Sequence, residues 1–231
     1  MAATLRTHRR AVKRRVRYSD RMQRSVTLEL SIIGVLALLF VATVRVRHPY
    51  VDFTLAGAAV ALIVLSSRRS QRLWALAPLP TAPSARAAWQ LAGGFTALSL
   101  VVLAGAGVIV AHVTGEPAQP RFLNWHFAVA VPVYLLWALL QQYIFQFYLL
   151  GRLLNIVALR FAIPIAACAF AAVHFPRWPV MLATLVAGSV WSLCYFRSRR
   201  LLPLAVSHAL LGAALHYWVL GLDLLDAWLP H

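Results

Sequence analysis

The sequence predicts an all-α fold: a polytopic transmembrane helix bundle of about seven spans with a cytoplasmic N-terminus. Three observations carry this reading. Of 231 residues, 61% are apolar by type and 12% are charged, with a mean hydropathy of +0.74, whereas soluble domains carry about a quarter charged residues. The charges are grouped, leaving seven long uncharged stretches. Finally, the cations between those stretches are distributed unevenly, gathering on one side when the stretches are read as alternating crossings. Disordered, collagenous and disulfide-stapled classes are excluded, because Gly and Pro total 23 and there are two cysteines. Cys168 and Cys194 fall inside apolar runs and read as small packing residues.

An ionised side chain at mid-bilayer costs about 2.5 to 3.5 kcal/mol, so the gaps between charges measure the spans. They run Leu30 to Val44, Phe53 to Ser67, Ala87 to Gly115, Phe122 to Gly151, Phe161 to Pro176, Trp178 to Phe196 and Leu201 to Leu222. The first two are short against the roughly 20 residues a crossing helix needs, but Arg45, Arg47, Arg68 and Arg69 at their ends can snorkel. The fifth is also short, and is expected to gain length by starting near Leu153 with Arg160 at an interfacial or protein-facing side. Residues 1–25 form a basic cytoplasmic tail, 26–67 two N-terminal spans, 68–86 a Pro- and Arg-rich linker whose PLPTAP segment should be extended, and 87–231 a five-span core.

Charge placement agrees with seven spans and a cytoplasmic N-terminus: 18 of the 22 Lys and Arg residues then lie inside, nine of them before Val26. A basic, acid-poor tail has anionic lipid as its natural partner, since each cation beside an anionic leaflet is worth about 1 kcal/mol. It has no aromatic interleaving or recognition motif, so nucleic acid is not expected. The alternative is a solvated orientation signal without a partner. Arg9-Arg10 and Arg14-Arg15 do not make an export signal, because the apolar run that follows is succeeded by further spans and lacks a cleavage site. The excess of Arg over Lys, 21 to one, fits a high-GC bacterial coding bias and hence a bacterial inner membrane.

Polar residues inside spans are costly without a partner or a task, and so mark candidate chemistry. In the fourth stretch, Gln142 and Gln146 lie one turn apart on one face, with Gln141 about 100° away. In the fifth, Phe170 and His174 are spaced i, i+4; in the seventh, His208, Gly212 and His216 form one stripe, with the glycine admitting a close neighbour. At 1.5 Å per residue, Gln141, His174 and His208 lie about 15, 20 and 12 Å from the inner face and can share a cavity, whereas His216, about 24 Å in, cannot. Each has a plainer alternative: buried glutamines serve as interhelical glue, and a membrane histidine is often a satisfied packing residue.

The strings QQYIFQ at Gln141 to Gln146, FAAVH at Phe170 to His174 and HALLG at His208 to Gly212 occur in this order. Together they resemble the EExxxR, FxxxH and HxxxN motifs of the CPBP family, the intramembrane proteases related to the CAAX prenyl endopeptidase and to bacteriocin self-immunity proteins. The resemblance spans about Leu135 to Tyr217. It implies a membrane helix bundle that hydrolyses amides in a membrane-bound protein or lipidated peptide, using a glutamate to activate water, assisting histidines and an asparagine oxyanion donor. The chain departs from that pattern: Gln141 and Gln142 replace the glutamates, Gln146 the arginine and Gly212 the asparagine, while Phe170, His174 and His208 remain.

An amide cannot take a proton from water near neutral pH, and losing a positioned base costs about 10²- to 10⁴-fold. Gln141 and Gln142 are therefore expected to orient a water while His174 or His208 accepts its proton, with Gln146, Phe170 and Gly212 lining the substrate cavity. Replacing Glu, Glu and Arg together keeps the span neutral. The two remaining glutamates, Glu29 and Glu116, lie at the start of the first span and in an outer loop and are not expected to substitute. His174 and His208 could hold part of a divalent metal site, although two neutral ligands without a carboxylate make a weak zinc site. Two functions follow: a peptidase working by histidine-assisted water activation, or a catalytically silent relative that binds a transmembrane or lipidated partner without cleaving it.

Overall fold

The computed structural model describes residues 26–36, 38–39, 42, 49–69, 84–117 and 121–225. The basic tail 1–25 and the extended PLPTAP segment, both inferred above, lie outside the described residues. Among those described there are seven helices and no strand, each helix overlapping one uncharged stretch: α1 (Val26–Leu36), α2 (Pro49–Arg69), α3 (Ala85–Thr114), α4 (Trp125–Leu153), α5 (Leu159–Ala172), α6 (Trp178–Ser198) and α7 (Leu202–Leu220). Of these, α3, α4, α6 and α7 are long and apolar enough to cross a membrane. Their outward faces carry Leu98, Val101, Val113, Leu136 and Leu182, all strongly exposed. The protein is an integral membrane protein whose solvent on those faces is acyl chain.

The ends follow local chemistry. Ser84 caps α3, its hydroxyl accepting from the Ala87 N–H at 3.2 Å, and Asn124 caps α4 through the His126 N–H at 2.9 Å. That cap starts α4 at Trp125, three residues later than the Phe122 expected from the charge gap. Pro179 and Pro203 stand in the first turns of α6 and α7, where a missing N–H costs nothing. Left-handed residues at Gly115, Arg199 and Gly221 close α3, α6 and α7.

The fifth helix corrects the sequence reading. It begins at Leu159, not near Leu153, because the chain turns out of the helix over 154–158. It ends at Ala172, so His174 occupies the turn beyond it, its N–H bonded to the Ala171 carbonyl at 3.0 Å. Arg160 is exposed and lies against the Phe161 ring. Cys194 packs in the core as expected, but Cys168 is exposed.

Small residues bring the helices together, since lipid offers no hydrophobic gain for helix association and close backbone packing must supply the attraction. Ala130 packs with Ala213 and Tyr217, and Ala138 with Ala209, so α4 and α7 run antiparallel. On α5, Ala162, Ala166, Ala167 and Ala171 are buried against α6. α3 also packs on α7, where a Cβ on Gly107 would meet the Trp218 carbonyl oxygen at 2.6 Å. α7 is thereby the most enclosed helix, and His208 sits on it.

Candidate functional site

The site grows from α4, α5 and α7. On α4, Ala130, Tyr134, Ala138 and Gln142 repeat every four residues and form one buried stripe. After Gln142 the helix widens into π-type winding over Tyr143–Leu150 before closing as Gly151–Leu153. Such single π stretches inside α-helices concentrate at functional positions. Gln142 and Gln146 are each 1% exposed, while Gln141 is only partly buried, which is the face relation read from their spacing.

The three glutamines have different surroundings. Gln146 Oε1 accepts from the Ser192 hydroxyl of α6 at 2.8 Å. Gln142 has no hydrogen-bond partner for either amide atom, and Gln141 Oε1 has none. Neither makes a hydrogen bond to a histidine among the described residues.

The two histidines meet on a phenylalanine. The Phe170 ring stands edge-on to His174, with centroids 5.2 Å apart, and to His208 at 5.4 Å. Trp191 of α6 stacks at a tilt on His208 at 4.8 Å and touches Phe170 as well. Trp191 is fixed by its own indole N–H, which donates to Ser207 Oγ at 3.0 Å, while Thr96 Oγ1 of α3 donates to the same oxygen at 2.7 Å. Gly188 lets Phe170 come close: a Cβ there would meet the ring at 3.1 Å.

Each imidazole is held differently. His174 Nδ1 lies 2.8 Å from the Phe170 carbonyl oxygen; because a carbonyl only accepts, Nδ1 carries the hydrogen and Nε2 of the neutral ring is the basic atom. His208 is 3% exposed. Its Nε2 faces the Tyr134 hydroxyl at 3.4 Å and its Nδ1 has no partner. Tyr134 lies directly on Gly212, where an added Cβ would meet its ring at 2.6 Å. His216, on the same stripe, bonds the Gly212 carbonyl through Nδ1 at 2.9 Å.

The structure therefore brings together His174, His208, Phe170 and the Gly212 backbone, buries Gln142 on the helix facing them, and engages Gln146 with α6. Tyr134 and Trp191 were missed from the sequence. Tyr134 had one available signal, its place two turns before Gln142 on the same four-residue stripe; Trp191 had none, since its role depends on a contact between separate helices. Glu29 is occupied elsewhere: it accepts from the Tyr148 hydroxyl at 3.1 Å and pairs with Arg152 at 2.9 Å. No group of three His, Cys, Asp or Glu able to hold a metal occurs among the described residues. Two imidazoles with amides and a phenol do not make the donor set that zinc selects.

An all-helical bundle with membrane-spanning helices and a buried imidazole and aromatic cluster across its last helices defines a polytopic membrane protein. The family model "Type II CAAX prenyl endopeptidase Rce1-like" matches residues 97–214, just over half of the chain and all three motif strings. The chain belongs to this family, the CPBP group indicated by its motifs. No curated protein and no solved structure matches it.

Proposed function

We propose that the protein is an intramembrane endopeptidase acting on a membrane-bound protein or lipidated peptide, with a histidine in place of the glutamate base. The observation that carries this reading is the set of buried groups without partners: both amide atoms of Gln142, Gln141 Oε1 and His208 Nδ1. A buried unpaired polar group costs about 1 to 3 kcal/mol, and a water together with a peptide amide would supply the missing donors and acceptors. Gln141 and Gln142 orient that water. His174, with Nδ1 tied to the Phe170 carbonyl, presents Nε2 as the atom that takes the proton and later returns it to the leaving nitrogen. His208 lies on the opposite side of the Phe170 contact and orients the reacting groups.

A second reading is favoured by a specific observation: both motif glutamate positions hold amides, and Glu29 is engaged by Arg152 and Tyr148. In that reading the protein holds its transmembrane or lipidated partner and does not cut it. The two separate in purified, reconstituted protein offered a panel of membrane-anchored and lipidated peptides, with products followed by mass spectrometry. The peptidase reading expects cleavage that falls at least 10²-fold in His174→Ala and in His208→Ala, and that rises in Gln141→Glu as a carboxylate base returns. Peptide binding without cleavage in the wild type, lost in the histidine variants, establishes the second reading instead.

The bacterial inner membrane is the proposed location, with the cations of residues 1–25 against its anionic leaflet. A peptide of those residues should bind phosphatidylglycerol vesicles and not phosphatidylcholine vesicles.

A further inference from the structure

Within the proposed hydrolysis, on which this inference rests, one group has no assigned donor: the oxygen that becomes negative when water adds to the substrate carbonyl. In water-poor surroundings an oxyanion needs a placed hydrogen-bond donor, and losing one costs about 10²- to 10³-fold in kcat. Glutamine amides occupied with the water cannot serve both ends of the reaction, and Gly212 has no side chain. Tyr134 fills that vacancy. Its ring occupies the space over Gly212 that any Cβ would enter, at 2.6 Å, and its hydroxyl lies 3.4 Å from Nε2 of the buried His208.

We infer that the Tyr134 hydroxyl is the oxyanion donor of this site, presented by His208 and admitted by the absence of a side chain at position 212. In the tautomer of His208 with the hydrogen on Nε2, that N–H donates to the phenol oxygen while the phenol O–H turns to the substrate carbonyl; a donor that is itself a good acceptor is strengthened by such a chain. The step balances. Water oxygen bonds to the carbonyl carbon, its proton passes to His174 Nε2, and the π pair of the C=O bond moves to the oxygen, which accepts from Tyr134. When the carbonyl re-forms, the C–N bond breaks and the proton on His174 goes to the leaving nitrogen. Tyr134 keeps its proton throughout, so it stabilises charge and is not the acid or the base. Trp191 stacked on His208, and Ser207 and Thr96 behind it, hold the imidazole that holds the phenol.

The test is a set of variants of the full-length protein in vesicles, each assayed for kcat and KM on a peptide that the wild type cleaves and for melting temperature. Tyr134→Phe keeps the ring on Gly212, so its fold should persist while kcat falls 10²- to 10³-fold with KM little changed. Gly212→Ala displaces the ring and should lower kcat even though the hydroxyl is still present. Tyr134→Ala with Gly212→Asn in one chain removes the ring and offers an amide N–H from the vacated side, and should recover at least tenfold over Tyr134→Ala alone. If the wild type cleaves and Tyr134→Phe retains its kcat, the donor assignment is overturned and the peptidase reading stands. If the wild type cleaves no peptide, the peptidase reading fails and takes the donor with it. Should Tyr134→Phe not fold, the recovery in the double variant decides: recovery supports the donor role and its absence overturns it.

Discussion

Two polar regions of this bundle are treated in opposite ways. At the end that carries Asp223, one carboxylate gathers the partners: it accepts from His126 at 2.5 Å, from Asn124 at 3.3 Å, from the Tyr217 hydroxyl at 2.5 Å and from the Leu225 N–H at 2.9 Å, although Arg121 Nε and Trp218 Nε1 beside it have no partner. Arg121 pairs with Glu116 and donates to the Trp218 and Val219 carbonyls, where α7 leaves its last acceptors exposed. In the interior cluster, Gln142 and His208 Nδ1 are more deeply buried and have no partner. The paired region holds the ends of α4 and α7 in register; the unpaired region sits on the stretch of those same helices that the pairing fixes. A low-dielectric interior makes a satisfied polar network rigid and an unsatisfied one expensive; on the proposed reading the Asp223 network serves stability, and the deep amide and imidazole serve a ligand.

The largest effect expected from breaking this contrast is at Asp223. Asp223→Ala leaves four donors without their acceptor and should cost about 2 to 4 kcal/mol, read as a lowered melting temperature in detergent. The pH dependence carries a sign. Burial alone would raise the Asp223 carboxyl, but the donors Tyr217, His126, Leu225 N–H and Asn124 outweigh it and hold it at about 2, below its ordinary 3.8. A carboxyl depressed by folding stabilises fully above its unfolded value and loses that contribution as pH falls through its folded value. Wild-type melting should therefore drop between about pH 4 and pH 2 by more than that of Asp223→Ala. Equal slopes would remove Asp223 from the stabilising network.

How much of this was legible in the sequence follows the range of each interaction. The approximate positions of the helices were legible because charge in lipid is costly enough to mark where apolar helices lie, and α2 and α4 overlap the gaps to within a few residues at each end. The common face of Gln142 and Gln146 was legible because it follows from helical spacing alone. The end of α5 at Ala172 was not, since the turn that carries His174 is made by local bonds to Ala171 and Ala172 that no periodicity announces. Nor was the Glu29 pair with Arg152, which joins residues more than a hundred positions apart. Tyr134 stood in between: its stripe could be counted, but its place over Gly212 required the antiparallel packing of α4 on α7. The contacts on which the proposal rests lie at these long-range meetings, so the family pattern was readable before the residue proposed to replace its missing donor.

A smaller effect, opposite in sign, is expected at Gln142. Replacing an unpaired buried amide by an apolar side chain of similar size removes a desolvation cost without removing a bond. Gln142→Leu should raise stability by about 1 to 2 kcal/mol in chemical denaturation while lowering cleavage or binding of the peptides above. A variant that is both less stable and equally active would mean that Gln142 belongs with the paired region after all.

The smallest effect sharpens the comparison within one helix. Gln146 is four residues from Gln142, on the same face and equally buried, and differs in having Ser192 as a donor. Ser192→Ala removes one neutral hydrogen bond and leaves Gln146 Oε1 unpaired, at a cost of about 1 kcal/mol. Adding Gln146→Leu to that variant should restore part of the loss, because the amide left unpaired is then gone; the two changes are coupled through one contact and their effects should not add. The matching pair at Gln142 has no second member to mutate. If Ser192→Ala and Gln146→Leu instead prove additive, the hydroxyl is not what keeps Gln146 in place. The difference between the two glutamines would then have to come from the π-type winding that separates them, which widens the helix on the Gln146 side and leaves Gln142 at its edge.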